Sequence, residues 1–133
     1  MIMGYLLVGL KDKICQIKSK LIKAILYYIK VMRLLDKVAL RRIFDNILSN
    51  AARYTDGDLS VKLFSDGKIT FSNHAARLDR IQAERLFERF YTVESAKNST
   101  GLELSIARLL VEKMAGNIKA EYTDGELVIQ VDF

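Results

Sequence analysis

From Asp36 to Phe133 the apolar residues switch between two spacings, and that alternation restricts what the chain can fold into. Leu40, Ile43, Phe44, Ile47, Leu48 and Ala51 recur at i, i+3, i+4, i+7, i+8 and i+11, which draws one buried face on a helix. Asp36 stands where an N-cap belongs, with a carboxylate to accept from the unpaired amides of the first turn. Thr55-Asp56-Gly57 ends that helix. Leu59, Val61 and Leu63 then alternate with Ser60 and Lys62, the period of a half-buried strand. Ser65-Asp66-Gly67 turns the chain into a returning strand that carries Ile69, Phe71 and Asn73. Asp79 with Gln82 three residues on predicts a capping box and a short helix through Leu86. The polar stretch Tyr91–Thr100 reads as a surface loop.

After Gly101 the helical spacing returns, with Leu102, Ile106, Leu109, Leu110 and Met114 expected inward and Gly116 as the stop. A closing hairpin runs Ile118–Tyr122, turns at Asp124-Gly125, and places Leu127, Ile129, Val131 and Phe133 on one side. Each element is apolar on one side only and needs a partner layer. The expected class is α+β: a two-layer sandwich with a mostly antiparallel sheet and helices on one face.

Residues 35–133 read as that domain, and residues 1–34 as a basic amphipathic segment before it. Ile14, Ile17, Leu21, Ile25 and Tyr28 keep helical spacing, while Tyr27, Ile29 and Val31 alternate with Tyr28 and Lys30. Ile25–Leu35 therefore fits a helix or a strand. The net charge of +5 is unevenly placed: residues 1–53 hold 11 Lys/Arg against 3 Asp/Glu, and residues 54–133 hold 10 against 13. A basic first third suits an anionic partner or a solvated, lysine-rich helix face. Peripheral contact with a membrane through residues 1–35 is compatible with it; a nucleic-acid partner is not expected.

Cys15 and His74 are the single residues of their kinds, which argues against an internal disulfide or a Cys/His metal site. The apolar run Met1–Leu10 falls short of the roughly 18–20 residues that span a bilayer and has no basic leader. A cytoplasmic protein is the expectation.

Within the first helix, Asn46, Asn50 and Arg53 are spaced i, i+4, i+7 and share an arc of roughly 60° beside the apolar stripe. Two amide carbonyls and a guanidinium on one stripe suit Mg²⁺ and phosphate. Asparagines on a helix also simply meet solvent or cap a neighbour.

The wider pattern favours the first reading. Asn46-x-x-x-Asn50-Ala51-x-Arg53-Tyr54-Thr55, then Ser72-Asn73, then Phe87-Glu88-Arg89-Phe90-Tyr91, then Thr100 through Ala107 resembles, in order and spacing, the N, G1, F and G2 boxes of histidine kinase catalytic domains of the GHKL (Bergerat-fold) class. The resemblance spans residues 35–133 and implies ATP and Mg²⁺ as ligands. Asn50 would be the Mg²⁺ ligand with Asn46 beside it, and Arg53 (usually Lys) would face the phosphates. Tyr54 would border the nucleotide. Phe87 and Phe90 would anchor an ATP lid at about Thr92–Thr100. Thr100, Gly101 and Leu102 would set a helix N-terminus against the phosphates.

Two boxes depart from the family. The Asp that usually reads the adenine amino group is Asn73, whose carbonyl still accepts but without charge, and two usual glycines are Ala75 and Arg77. Glu103 replaces a glycine at the phosphate-facing helix start. A carboxylate about 5 Å from a phosphate costs roughly 3 kcal/mol at an effective dielectric of 20, about a hundredfold in affinity. The phosphoacceptor sequence of the family is absent, and His74 reads as a loop residue near the adenine rather than an acceptor. No catalytic residue is assigned within the chain, and whether it acts as an enzyme is left open.

The leading expectation is a two-component, histidine-kinase-like module that binds ATP-Mg²⁺ for phosphoryl transfer. Its partner would be a histidine kinase dimerisation or phosphotransfer domain, on another domain or chain, within a response regulator pathway. A non-catalytic degenerate fragment serving as an interaction module is the second reading, favoured by Glu103, Ala75 and Arg77. A serine kinase of the anti-sigma-factor type is the third, although those proteins usually carry Glu where Asn46 stands.

Overall fold

The computed structural model describes residues 26–27, 35–92 and 101–133. The expectations for residues 1–25 and 28–34, and most of the segment between Tyr91 and Gly101, lie outside them. Helix α1 spans Lys37–Tyr54 and starts as the sequence indicates, with Asp36 Oδ1 accepting from the amides of Val38 (2.8 Å) and Ala39 (3.1 Å). Its buried face is the expected stripe, joined by Asn50 and Tyr54.

Among the described residues there are five strands, in chain order β1 (Leu26–Tyr27), which precedes α1, β2 (Leu59–Leu63), β3 (Ile69–His74), β4 (Asn117–Thr123) and β5 (Glu126–Asp132). They form one sheet in the order β1-β2-β3-β5-β4. β1 runs parallel to β2, and the other pairings are antiparallel. The Ile25–Leu35 ambiguity thus resolves to strand at Leu26–Tyr27. Parallel neighbours require a crossover, and α1 lies on that connection.

Register lines up the inward residues in rows across the sheet. Leu63, Ile69, Val131 and Ile118 form one row, and Val61, Phe71, Ile129 and Ala120 the next. The third row reads Leu59, Asn73, Leu127 and Tyr122. Helices α1 and α3 (Glu103–Lys113) pack on each other, with α1 against β3 and α3 against β4; the short α2 (Arg80–Glu84) also lies against β4. The described residues thus form the two-layer α/β sandwich. Among them no helix is long and apolar enough to cross a membrane.

Three details differ from expectation. α2 has its full capping box, Gln82 N to Asp79 Oδ1 at 2.7 Å and Asp79 N to Gln82 Oε1 at 3.0 Å. It ends at Glu84, however, and tighter bonds such as Leu86 N to the Ala83 carbonyl carry the chain on. The inward stripe of α3 is Leu104, Ala107 and Val111, with Leu109 53% exposed and Leu102, Ile106, Leu110 and Met114 half-buried at the flanks. α3 must face α1 and β4 together, so the face nearest both is buried, and a small Ala107 there lets the helices approach.

The stop of α3 is also built differently. Ala115, not a glycine, takes the left-handed conformation (φ 58°). Ala115 N donates to the Glu112 carbonyl and Gly116 N to the Val111 carbonyl, both at 3.0 Å, which is the Schellman pattern. Gly116 is required for space: a Cβ there would sit 2.5 Å from the Asp132 carbonyl oxygen.

Candidate functional site

Asn50 is the least expected member of the buried face of α1. It is only 6% exposed, and its Oδ1 is buried with no hydrogen-bond partner among the described residues. One turn earlier, Asn46 Nδ2 is buried in the same state. Leaving an acceptor or donor so placed costs about 1–3 kcal/mol each, and such groups call for water, an ion or a ligand to complete them. An amide oxygen is a suitable ligand for a hard cation, so Asn50 fits Mg²⁺. Among the described residues no group of three or more His, Cys, Asp or Glu could hold a metal. Mg²⁺ here would depend on Asn50, water and phosphate oxygens, its usual mode.

Asn73 lies in the third sheet row between Leu59 and Leu127 and is 3% exposed. An amide in an otherwise apolar row is costly unless it hydrogen-bonds. Its Nδ2 is 3.5 Å from the His74 carbonyl, the outer limit of a useful contact. Asn73 and His74 also line an open depression with Asp58, Ser60, Ser72, Asp124 and Glu126. Ser60, Ser72, His74 and Glu126 alternate with the inward rows, so this depression opens on the sheet face turned away from the helices.

The backbone of the loop after β3 does not require glycine at either altered position. Neither Ala75 nor Arg77 takes a positive φ. Ala75 is fully buried; its amide donates to the Gly125 carbonyl (2.7 Å), and its carbonyl accepts from the Tyr122 hydroxyl (3.0 Å). Asp56, just past α1, accepts from Ala76 N at 2.8 Å and faces Arg77 at 3.8 Å. The loop is tied on three sides without needing backbone freedom.

At the opposite end, Phe90 takes φ 63° and donates its amide to the Gly101 carbonyl at 2.8 Å. Gly101 takes φ 67°, and a Cβ there would lie 2.6 Å from the Phe90 carbonyl carbon. This is a backbone clasp between the two ends of the segment before α3. Phe90, which the resemblance implies as a lid anchor, is 68% exposed beside Arg89 rather than packed in the core. Phe90 acts here through its backbone, while Phe87 is half-buried against the core and Tyr91 holds Arg85 over its ring. Tyr54, the last residue of α1, is buried in the core cluster. Thr100 lies outside the described residues.

Leu102 is the N-cap of α3 and offers no side-chain hydrogen bond to its first amides. The first helical residue is Glu103, whose carboxylate is gripped by both terminal nitrogens of Arg53, with Nη2–Oε1 at 2.6 Å. Hydrogen bonding to Glu103 raises the Arg53 pKa above its ordinary value, against the opposing effect of burial. This pair, 50 residues apart in sequence, fixes the end of α1 to the start of α3. It brings Arg53 against Glu103, the residue that follows Gly101 and Leu102 at the start of α3.

Similarity to known proteins agrees with that geometry. Residues 35–131 match the family described as histidine kinase-, DNA gyrase B-, and HSP90-like ATPase. The histidine-protein kinase BaeS of Escherichia coli is 33% identical over 97 residues, covering 66% of this chain and 21% of BaeS. The probable sensor protein PcoS of the same species is 32% identical over 105 residues, 72% of this chain and 22% of PcoS. The chain thus spans about a fifth of the length of these relatives. Among solved structures, the mycobacterial sensor histidine kinase MprB superposes with a TM-score of 0.76 at 19% identity, covering 97% of this chain and 91% of that one. Full-length ShkA in complex with AMPPNP gives 0.67 at 23% identity, over 100% of this chain and 30% of that one. The chain belongs to the histidine kinase-, DNA gyrase B- and HSP90-like ATPase family, as a domain of the histidine kinase type.

Proposed function

We propose that the chain binds an adenine nucleotide with Mg²⁺ and serves as the ATP-binding half of a histidine kinase, positioning ATP for a histidine on another domain or chain. The observation that carries this reading is Asn50, a buried carbonyl oxygen without a hydrogen-bond partner among the described residues, one turn before Arg53. Asn73, buried in the inward row of the sheet, would accept from the base. Asn46 would donate beside the metal, Tyr54 would border the nucleotide, and Arg53 with the uncapped amides after Gly101 and Leu102 would face the phosphates. Mg²⁺ would neutralise phosphate charge. Transfer would break the bond from the terminal phosphorus to the ADP oxygen and form one to the imidazole nitrogen, with ADP leaving. Such transfer depends mainly on positioning and electrostatics. The fold neighbour ShkA, solved with AMPPNP, supports a nucleotide in this architecture.

The test is calorimetric titration with ADP, with and without Mg²⁺, on the parent chain and on Asn50→Ala. Saturable binding that Mg²⁺ strengthens, and that Asn50→Ala weakens about tenfold or more while losing its Mg²⁺ dependence, is expected. Absence of binding by both ADP and adenosine to the parent would overturn the reading.

A further inference from the structure

The position that combines a helix start, a guanidinium and the clasp at Gly101 already contains an anion of its own. Glu103 opens α3 where the first amides carry no side-chain cap, and its carboxylate engages Arg53 through two hydrogen bonds. Both side chains are partly exposed, at 27% and 20%. A helix start and an arginine together form a seat for a phosphate oxygen; a carboxylate satisfies the same donors with the same charge sign. The buried Oδ1 of Asn50, one turn before Arg53 on the same helix and without a partner among the described residues, is a second group there that a ligand could complete.

We infer that Glu103 is an internal counter-anion that competes with nucleotide phosphates for Arg53 and so sets the ligand class of the site, favouring adenine ligands with few phosphate charges over ATP. This inference rests on the nucleotide-binding reading. Two effects act in the same direction. A phosphate must separate Arg53 from Glu103 before using the guanidinium, and it must then tolerate the released carboxylate nearby. Each further phosphate increases that repulsion, whereas adenosine meets neither obstacle. The usual rise of affinity with phosphate number is therefore flattened or reversed by one side chain.

The inference is tested by titrating adenosine, ADP and ATP, all with Mg²⁺, into the parent chain, Glu103→Gln and Glu103→Gly. Glutamine keeps the shape and helix preference of the residue, so it serves as control if glycine loosens the start of α3, and thermal melting verifies that each variant is folded. Expected is a gain of roughly 10- to 100-fold for ATP in both variants, a smaller gain for ADP, and an unchanged adenosine affinity. The order of affinities in the parent should not increase from adenosine to ATP. Equal changes for all three ligands mean a structural role for Glu103 and overturn the inference, as does no change for ATP; the nucleotide reading survives either result. No binding of any ligand to any variant overturns the nucleotide reading and this inference with it.

Discussion

The starts of α1 and α3 follow opposite rules. At α1 the Asp36 carboxylate accepts from two first-turn amides, so that end is closed by its own sequence. At α3 the N-cap is Leu102, which offers no side-chain acceptor, and the acid stands one residue later, bonded to another helix. A helix end capped locally contributes stability and nothing else; one left uncapped keeps donors for a distant group. α2, with its reciprocal capping box, sides with α1. The difference separates a structural end from a candidate binding end within one small domain.

The strongest way to break this contrast is Gly101→Ala. A left-handed backbone and a methyl group within 2.6 Å of the Phe90 backbone should destabilise the domain by roughly 2–5 kcal/mol, read as a fall in the urea midpoint at unchanged slope. Next in size, Asp36→Ala should cost about 1 kcal/mol in the same assay while leaving adenosine and ADP affinities unaltered. Glu103→Gln sharpens the comparison from the other side. Its pair with Arg53 is partly exposed, so the stability change should stay within about 1 kcal/mol, while ATP affinity should rise as proposed above.

Ala115→Gly relieves the left-handed stop of α3 and should raise stability by about 0.5–1 kcal/mol. The smallest effect is a control on the exposed face of β4. There the hydrogen bond and charge of Lys119 hold the Glu121 carboxyl below its ordinary pKa. The stability it contributes is present above the unfolded pKa and is lost as pH falls through the folded one. Lys119→Ala should return that pKa to the ordinary carboxylate value in an NMR titration, with the helix ends unaffected.

Most of the architecture was legible because it is written locally. Asp36, the Asp79–Gln82 box and the alternating triplets of β2 and β3 each need only a few neighbouring residues to be recognised. Two stripes on α3 compete, however, and the larger side chains of Ile106 and Leu109 masked the smaller face at Ala107 that the packing selects. Gly116 looked like the helix stop because glycine is the usual left-handed residue; that its role is close approach to Asp132 depends on β5, which local sequence does not contain. Asn50 and Arg53 stood out by type and spacing, and Asn73 through the family resemblance. The pairing of Arg53 with Glu103 did not, since it depends on how two helices 50 residues apart meet. The exposure of Phe90 was hidden for a related reason: the chain there is organised by a backbone bond, and side-chain patterns carry no record of it.

That bond has a consequence for how the domain can vary. Because Phe90 and Gly101 are joined through their main chains, the intervening stretch leaves and rejoins the framework at nearly one point. Residues inserted there would lengthen an already closed loop, at a cost of only about 0.6 kcal/mol per doubling. Neither anchor, nor the rows of the sheet behind them, need move. Homologous chains can therefore be expected to tolerate insertions and deletions between these two positions more readily than anywhere within the tied loop that follows β3.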